Sequence, residues 1–162
     1  MRAIEFGSKI ELLRQARKRE ALLFTNGEGF KLKSGRMSPY FFNAGKLQDG
    51  ESLFAIAVAY AAAIHAQCEK EEFSFDMLYG PAYKGIPLAT AASIGLHQAV
   101  GQEYPVVFNR KEPKDHGEGG LLVGADVKDM RVLIVDDVIT AGTAAEESVQ
   151  LITRAGGIPA GL

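Results

Sequence analysis

The chain has 162 residues, 47% of them hydrophobic and 23% charged, with a net charge of −2; this is the size and balance of one globular domain able to bury a core. Near-neutral charge argues against a general nucleic-acid or membrane-surface binder. The single cysteine, Cys68, excludes an internal disulfide and a CxxC zinc site and fits a reducing cytosol, where it serves as a small structural hydrophobe. The longest apolar run, Phe54 to Ile64, is too short to span a bilayer, and Met1-Arg2-Ala3-Ile4-Glu5 lacks the apolar core of a signal peptide.

Phe6, Ile10 and Leu13 share one face with charges between them, which predicts a first helix ended by Asn26-Gly27 and Gly29. Phe30 to Asn43 is aromatic and polar, is broken by Ser34-Gly35 and Ser38-Pro39, and is predicted to be a bent hairpin. A second helix starts near Asp49, which can cap it, and carries Leu53, Ile56, Ala57, Tyr60 and Ile64 at helical spacing. Phe75 to Tyr79 is a short apolar strand ending at Gly80-Pro81, followed by a helix with Pro87 near its first turn that runs to about Ala99. Pro105 to Phe108 is the next strand, and Arg110 to Gly120 is a polar, glycine-rich stretch. Val132 to Val135 reads as a buried strand, followed by a helix from Thr143 to Ala155 with a Thr143-x-x-Glu146 capping box and a Gly156-Gly157 stop. Ile158 to Leu162 reads as a loop entering another strand. Strands alternating with helices predict an α/β fold with a mostly parallel sheet covered on both faces, in a single domain over residues 1–162.

The chemistry concentrates where the Val132–Val135 strand runs into Asp136-Asp137-Val138-Ile139-Thr140-Ala141-Gly142-Thr143-Ala144. In open α/β sheets ligands bind at the carboxyl ends of strands. Thr140 to Thr143 is a turn of small residues in which Gly142 can point successive N–H groups inward, and the following helix adds its positive end, so a phosphate is favoured there. Thr140 and Thr143 add hydroxyl donors. Carboxylates repel phosphate, so Asp136 and Asp137 must face something else, either adjacent sugar hydroxyls or a magnesium ion. Neither a GxxxxGK[ST] nor a GxGxxG loop is present.

This segment resembles the phosphoribosyl diphosphate signature of the type I phosphoribosyltransferases, in the form found in their orotate branch. Three further segments resemble the same family. Lys33-Ser34-Gly35-Arg36 and Ser38 to Asn43 are similar to its amino-terminal hood, which implies that Phe41 and Phe42 line the orotate site and that Lys33 reaches the donor. Gly80 to Pro87 resembles the pyrophosphate loop, which implies donor contacts from Tyr83 and Lys84. Asn109 to Gly120 resembles the mobile catalytic loop, which implies that Arg110, Lys111, Lys114 and His116 contact the diphosphate, in part across a dimer interface; His65 and His97 are then structural.

The resemblance thus implies a type I phosphoribosyltransferase fold, a twisted sheet flanked by helices, with a hood over about residues 1–48 and a core over about 49–162. The implied activity is transfer of phosphoribose from 5-phospho-α-D-ribose 1-diphosphate to orotate, a step of pyrimidine biosynthesis. It implies catalytic roles for Lys114, His116, Lys84, Asp136 and Asp137. Substrate contacts are implied from Val138, Ile139, Thr140, Ala141, Gly142, Thr143 and Ala144, and Mg2+ is held mainly through the diphosphate, near Asp136 and Asp137. A cytoplasmic homodimer with shared active sites, and neither nucleic-acid nor membrane partners, completes the expectation. The family's chain continues beyond the point matching Leu162, so a carboxyl-terminal part, with an arginine for orotate, is expected to be missing. A salvage phosphoribosyltransferase would share residues 136–144 but not the Phe41-Phe42 and 110–120 patterns. A ribose-phosphate sensor would have lost the pyrophosphate or lid residues. A non-catalytic fragment would bind the donor without turnover.

Overall fold

The computed structural model describes residues 2–32, 35–71, 73–114, 120–139 and 142–162. Helix α1, Arg2–Lys18, is shorter than the sequence suggested. Glu20 takes a positive φ of 53°, and the Ala21 N–H bonds back to the Ala16 carbonyl at 2.7 Å, which turns the chain into a strand. Leu22–Phe24 (β1) pairs antiparallel with Tyr40–Phe42 (β4), and between them Phe30–Lys31 (β2) pairs with Met37–Ser38 (β3). The bent hairpin is therefore present but begins at Leu22. One turn of 3₁₀ helix, Ala44–Lys46, leads to helix α2, Gly50–Glu71. Asp49 caps it as expected. Its Oδ1 accepts from Ser52 N–H at 3.0 Å, and the Ser52 hydroxyl accepts from Asp49 N–H at 3.3 Å.

Met77–Gly80 (β5), helix α3 (Gly85–Val100), Val106–Lys114 (β6), Gly120–Gly124 (β7), Arg131–Ile134 (β8), helix α4 (Thr143–Arg154) and Ile158–Gly161 (β9) complete the fold. The strands form one five-stranded sheet in the order β7-β6-β5-β8-β9, parallel except for β7 at the edge. Alternation along the strands divides the core between the two faces. Leu78, Leu133 and Val135 pack with Ile56, Ala57 and Leu96 of α2 and α3, whereas Met77, Tyr79, Val132 and Ile134 pack with Ile152 of α4. By length and composition Gly50–Lys70 is apolar enough to cross a membrane, longer than the run picked out from sequence. It packs here on α1 and α3 as a core helix, with Cys68 partly buried against the same cluster.

Two further expectations change. Arg110–Lys114 belong to β6, which pairs with Gly120–Gly124 through Val107–Asn109 and again at Lys114 across an irregularity, so the sheet extends through this polar stretch; residues 115–119 lie outside the described residues. Ile158–Gly161 is itself a strand, seated beside β8, with Pro159 tolerated on the outer strand.

Two ion-pair groups tie the elements together. Arg19 reaches Asp49 at 2.7 Å and Glu51 at 2.9 Å, and Lys18 reaches Glu51 at 2.8 Å, joining α1 to the start of α2. Arg131 meets Asp76 at 2.6 Å, joining β5 to β8 at the edge opposite their carboxyl ends. Hydrogen bonds from Lys18 and Arg19 lower Glu51 from 4.5 to about 2, and the bond from Arg131 lowers Asp76 from 3.8 to about 2.

A depressed carboxylate stabilises the fold above its unfolded pKa and loses that effect as pH falls through the folded one. The melting temperature should therefore fall as pH drops from 4.5 towards 2, and Glu51→Gln with Asp76→Asn should flatten that slope; a slope unchanged in the double variant would contradict the pairing. Where α2 crosses α3, a methyl group on Gly95 would lie 2.1 Å from the Ala57 carbonyl oxygen. Gly95→Ala should cost about 1–3 kcal/mol by overpacking, measurable by denaturant unfolding.

Candidate active site

The site forms where β5 and β8 end along one edge of the sheet, beside Asn109–Lys111 of β6. Val135 N–H continues the ladder by bonding to the Tyr79 carbonyl at 2.8 Å, and the chain then leaves the sheet at Asp136. Asp136 is half-buried; its Oδ1 accepts from Asp137 N–H at 2.8 Å, and Tyr60 of α2 donates its hydroxyl to the Asp136 carbonyl at 3.2 Å. Burial raises the Asp136 carboxyl above its ordinary value. The Asp137 N–H opposes that shift, and the Asp137 charge adds to it. Burial likewise raises the Tyr60 phenol, with the two carboxylates adding to it.

Lys84 faces this pair. Its ammonium lies 3.3 Å from Asp137 Oδ2, with the Asp137 side chain 15% exposed and Lys84 53% exposed. The loop carrying it is folded tightly. Methyl groups at Gly80 and Gly85 would lie 2.3 Å from the Gly85 carbonyl oxygen and 2.4 Å from Pro81 Cδ, so only glycine fits at either end. Within it the Ala82–Tyr83 peptide is cis. The hood contributes Gly45, beside the Lys84 stem: a methyl there would lie 3.9 Å from Lys84 Cε.

Downstream of the acidic pair, Val138 and Ile139 are exposed, and Thr140 and Ala141 lie outside the described residues. Gly142 has φ +83° and stands immediately before α4. The capping box expected at Thr143 and Glu146 does not form. Gly142 occupies the cap position, Glu146 N–H bonds to its carbonyl at 2.9 Å, and Thr143 becomes the first helical residue. Gly142 has no side chain to cap the turn, and the first N–H groups of a helix, here those of Thr143 and Ala144, have no partner within it, so they and the exposed Thr143 hydroxyl suit an external acceptor. Asp136 and Asp137 also form the polar end of a groove of about 740 Å³ between Tyr60 and Ile64 of α2 and Ala160–Leu162, with Phe73 and Leu133 in its apolar wall.

Tyr83 and Lys111 come together: the ammonium stands over the ring, 4.8 Å from its centroid. Arg110 is half-buried on the same strand. The backbone of Lys114 pairs with Gly120, while Lys33 and His116 lie outside the described residues. Phe41 and Phe42 are successive strand residues and point to opposite faces. Phe42 packs into the core opposite Leu22, whereas Phe41 is 41% exposed with its ring 5.8 Å from Phe30. Phe41 is the more exposed of the two.

Sequence reasoning missed Asn109, whose amide bonds to the Lys84 loop, and the hydroxyl of Tyr60, hidden inside an apolar helical pattern. Gly45 carried no signal at all, since its proximity to Lys84 arises from the fold. Among the described residues no cluster of three or more His, Cys, Asp or Glu could hold a metal ion by itself.

Residues 43–158 match the model of the phosphoribosyl transferase domain family. The chain is 58% identical over 133 residues to orotate phosphoribosyltransferase of Stenotrophomonas maltophilia (strain K279a), covering 82% of this chain and 58% of that one. It is 55% identical over 150 residues to the orotate phosphoribosyltransferase of Cellvibrio japonicus (strain Ueda107), covering 93% of this chain and 66% of that one. The crystal structure of orotate phosphoribosyltransferase from Francisella tularensis superposes with a TM-score of 0.70 at 41% identity, over 90% of this chain and 65% of that one. The chain thus spans less than two thirds of the length of these relatives.

An NMR titration should place the Asp136 carboxyl above 3.8, and Asp137→Asn should bring it down by removing the neighbouring charge. An Asp136 value unmoved in that variant would break the coupling between the two.

Proposed function

The chain belongs to the phosphoribosyl transferase domain family, and from that membership we propose that it transfers the phosphoribosyl group of 5-phospho-α-D-ribose 1-diphosphate to orotate, giving orotidine 5′-monophosphate and diphosphate. One observation carries the reading. A lysine and two carboxylates meet at the ends of neighbouring strands, beside the positive start of a helix whose cap residue, Gly142, has no capping side chain.

A ribose phosphate has matching parts. Its 5′-phosphate suits the start of α4, where the N–H and hydroxyl of Thr143 lie at the positive end of the helix. Its 2- and 3-hydroxyls suit the acceptor oxygens of Asp136 and Asp137. The diphosphate then lies towards Lys84, Arg110 and Lys111, with Lys114 and His116 completing the basic set. Cleavage at the anomeric carbon builds oxocarbenium character on the ribose and negative charge on the diphosphate. These cations stabilise that developing charge, while Asp136 and Asp137 lie on the side of the developing positive charge. The exposed ring of Phe41 offers an apolar wall to a flat base, whose ring nitrogen attacks once oriented.

Asp136 and Asp137 present only oxygen donors, a set that fits Mg2+ when donor oxygens supply the remaining ligands. When bound there, Mg2+ supplies further charge neutralisation on the diphosphate. A C₂ homodimer in the cytoplasm, with the 110–120 segment serving a partner's site, belongs to the same proposal. It requires light scattering to return twice the monomer mass.

The chain, mixed with orotate, Mg2+ and the diphosphate donor, should consume orotate as followed by its ultraviolet absorbance, and Lys114→Ala should abolish consumption. Because the relatives are longer, donor binding is measured beside turnover by calorimetry. Lys84→Ala should weaken donor binding about 10- to 100-fold, as expected for losing a charge-assisted bond. Binding without turnover would identify a non-catalytic piece or a sensor, turnover with another base a salvage enzyme, and absence of binding would overturn the phosphate-site reading.

A further inference from the structure

Asn109 stands on β6 immediately before the basic pair Arg110-Lys111, and the transfer chemistry above assigns it nothing. Its half-buried side chain turns towards the loop after β5. Oδ1 accepts two hydrogen bonds, from Ala82 N–H at 2.7 Å and from the Tyr79 hydroxyl at 3.0 Å, and Nδ2 donates to the Arg110 carbonyl at 3.3 Å. The amide orientation follows from its partner: Ala82 N–H can only donate, so an acceptor must face it. Tyr79 is 1% exposed, so its hydroxyl is a fixed anchor in the core.

A single oxygen atom thus joins the core of β5, the middle of the Pro81–Lys84 loop and the strand bearing Arg110 and Lys111. Gly80 and Gly85 fix the ends of that loop by close backbone contact. Asn109 holds its middle. The Lys111 ammonium over the Tyr83 ring, at 4.8 Å, repeats the link between the same two segments two residues further on.

We propose that Asn109 is a positioning residue for the diphosphate: its side-chain oxygen ties the Ala82–Lys84 loop to β6, so that the Lys84 ammonium and the Arg110-Lys111 pair keep one spacing around the leaving group. The inference rests on the phosphoribosyl transfer reading above. Removal of the oxygen leaves Ala82 N–H without its acceptor and frees the loop, while Asp136, the Asp137 backbone and the start of α4 keep their own hydrogen bonds and the acidic pair loses at most its Lys84 contact. Diphosphate recognition should suffer, and ribose 5-phosphate recognition should not.

Calorimetry on the 162-residue chain, with Mg2+ present, separates the two. The probes are the diphosphate donor and ribose 5-phosphate, which has the same phosphate and 2- and 3-hydroxyls but no diphosphate. Asn109→Ala is expected to weaken the donor about tenfold or more and ribose 5-phosphate less than about twofold, as loss of a charge-positioning hydrogen bond implies. Tyr79→Phe, which leaves the Ala82 bond in place, should stay near wild type for both. Donor binding unchanged in Asn109→Ala, or both ligands weakened equally, overturns the proposal. Should Asn109→Ala fail to fold, hydrogen exchange on the wild-type chain decides: the Ala82 amide must be protected, and exchange at a free-loop rate overturns the proposal. A wild-type chain that binds neither ligand overturns the phosphoribosyl reading and this role with it, whereas normal wild-type binding with an unaffected Asn109→Ala variant overturns this inference alone.

Discussion

The parallel pairing of β5 with β8, which sets Tyr79 beside Ile134, places both chemical loops of this protein at the same edge. Two neighbouring strands that run the same way must deliver their following loops side by side. The Lys84 loop and the Asp136-Asp137 pair are thereby brought within ion-pair distance although 53 residues separate the partners. β6, parallel on the other side of β5, carries Asn109, Arg110 and Lys111 to the same edge. At the opposite edge the Arg131–Asp76 pair joins the starts of β5 and β8 and so supports their register.

Close approach then determines shape. Gly80 and Gly85 let the loop fold back on itself, and Gly95 lets α3 lie against the backbone of α2. That second contact positions the Tyr60 hydroxyl against the Asp136 carbonyl, because α2 is held at a fixed distance from the sheet. The electrostatics follow from the same geometry. Asp136 is partly withdrawn from water beside a second carboxylate, which makes its ionised form costly, and the Lys84 ammonium offsets part of that cost. A ligand presenting hydroxyl donors to the acids and anionic oxygens to the lysine would relieve both strains at once, which is the physical logic of the proposed transfer.

Much of this was legible in the residue pattern. Val132 to Val135, apolar at every position, marked a strand buried on both faces, and the acids and small residues after it marked a turn into a helix. Asp49 signalled the start of α2, and Gly156-Gly157 the end of α4. The pattern misled where local rules met tertiary ones. Polar composition marked Arg110–Lys114 as loop, but the pairing of β6 with β7 on either side of an irregularity carries the strand through it. Thr143 and Glu146 had the spacing of a capping box, yet the left-handed Gly142 took the cap position and left the helix start open. Phe41 and Phe42 were read as one wall, but strand alternation sends them to opposite faces.

By itself, then, the sequence determined most element types, the α/β class and the place where the acidic pair leads into a helix, because these depend on periodicity, glycine and charge within a few neighbouring residues. Only the tertiary structure decided which of these segments meet. Strand order set Lys84 against Asp137, hood packing set Gly45 against Lys84, and the β5–β6 pairing set Asn109 against Ala82. The physical reason is that such contacts arise from how strands add to a sheet and helices lie across it, and that assembly is specified by the packing of the whole core, with no local residue pattern to encode it.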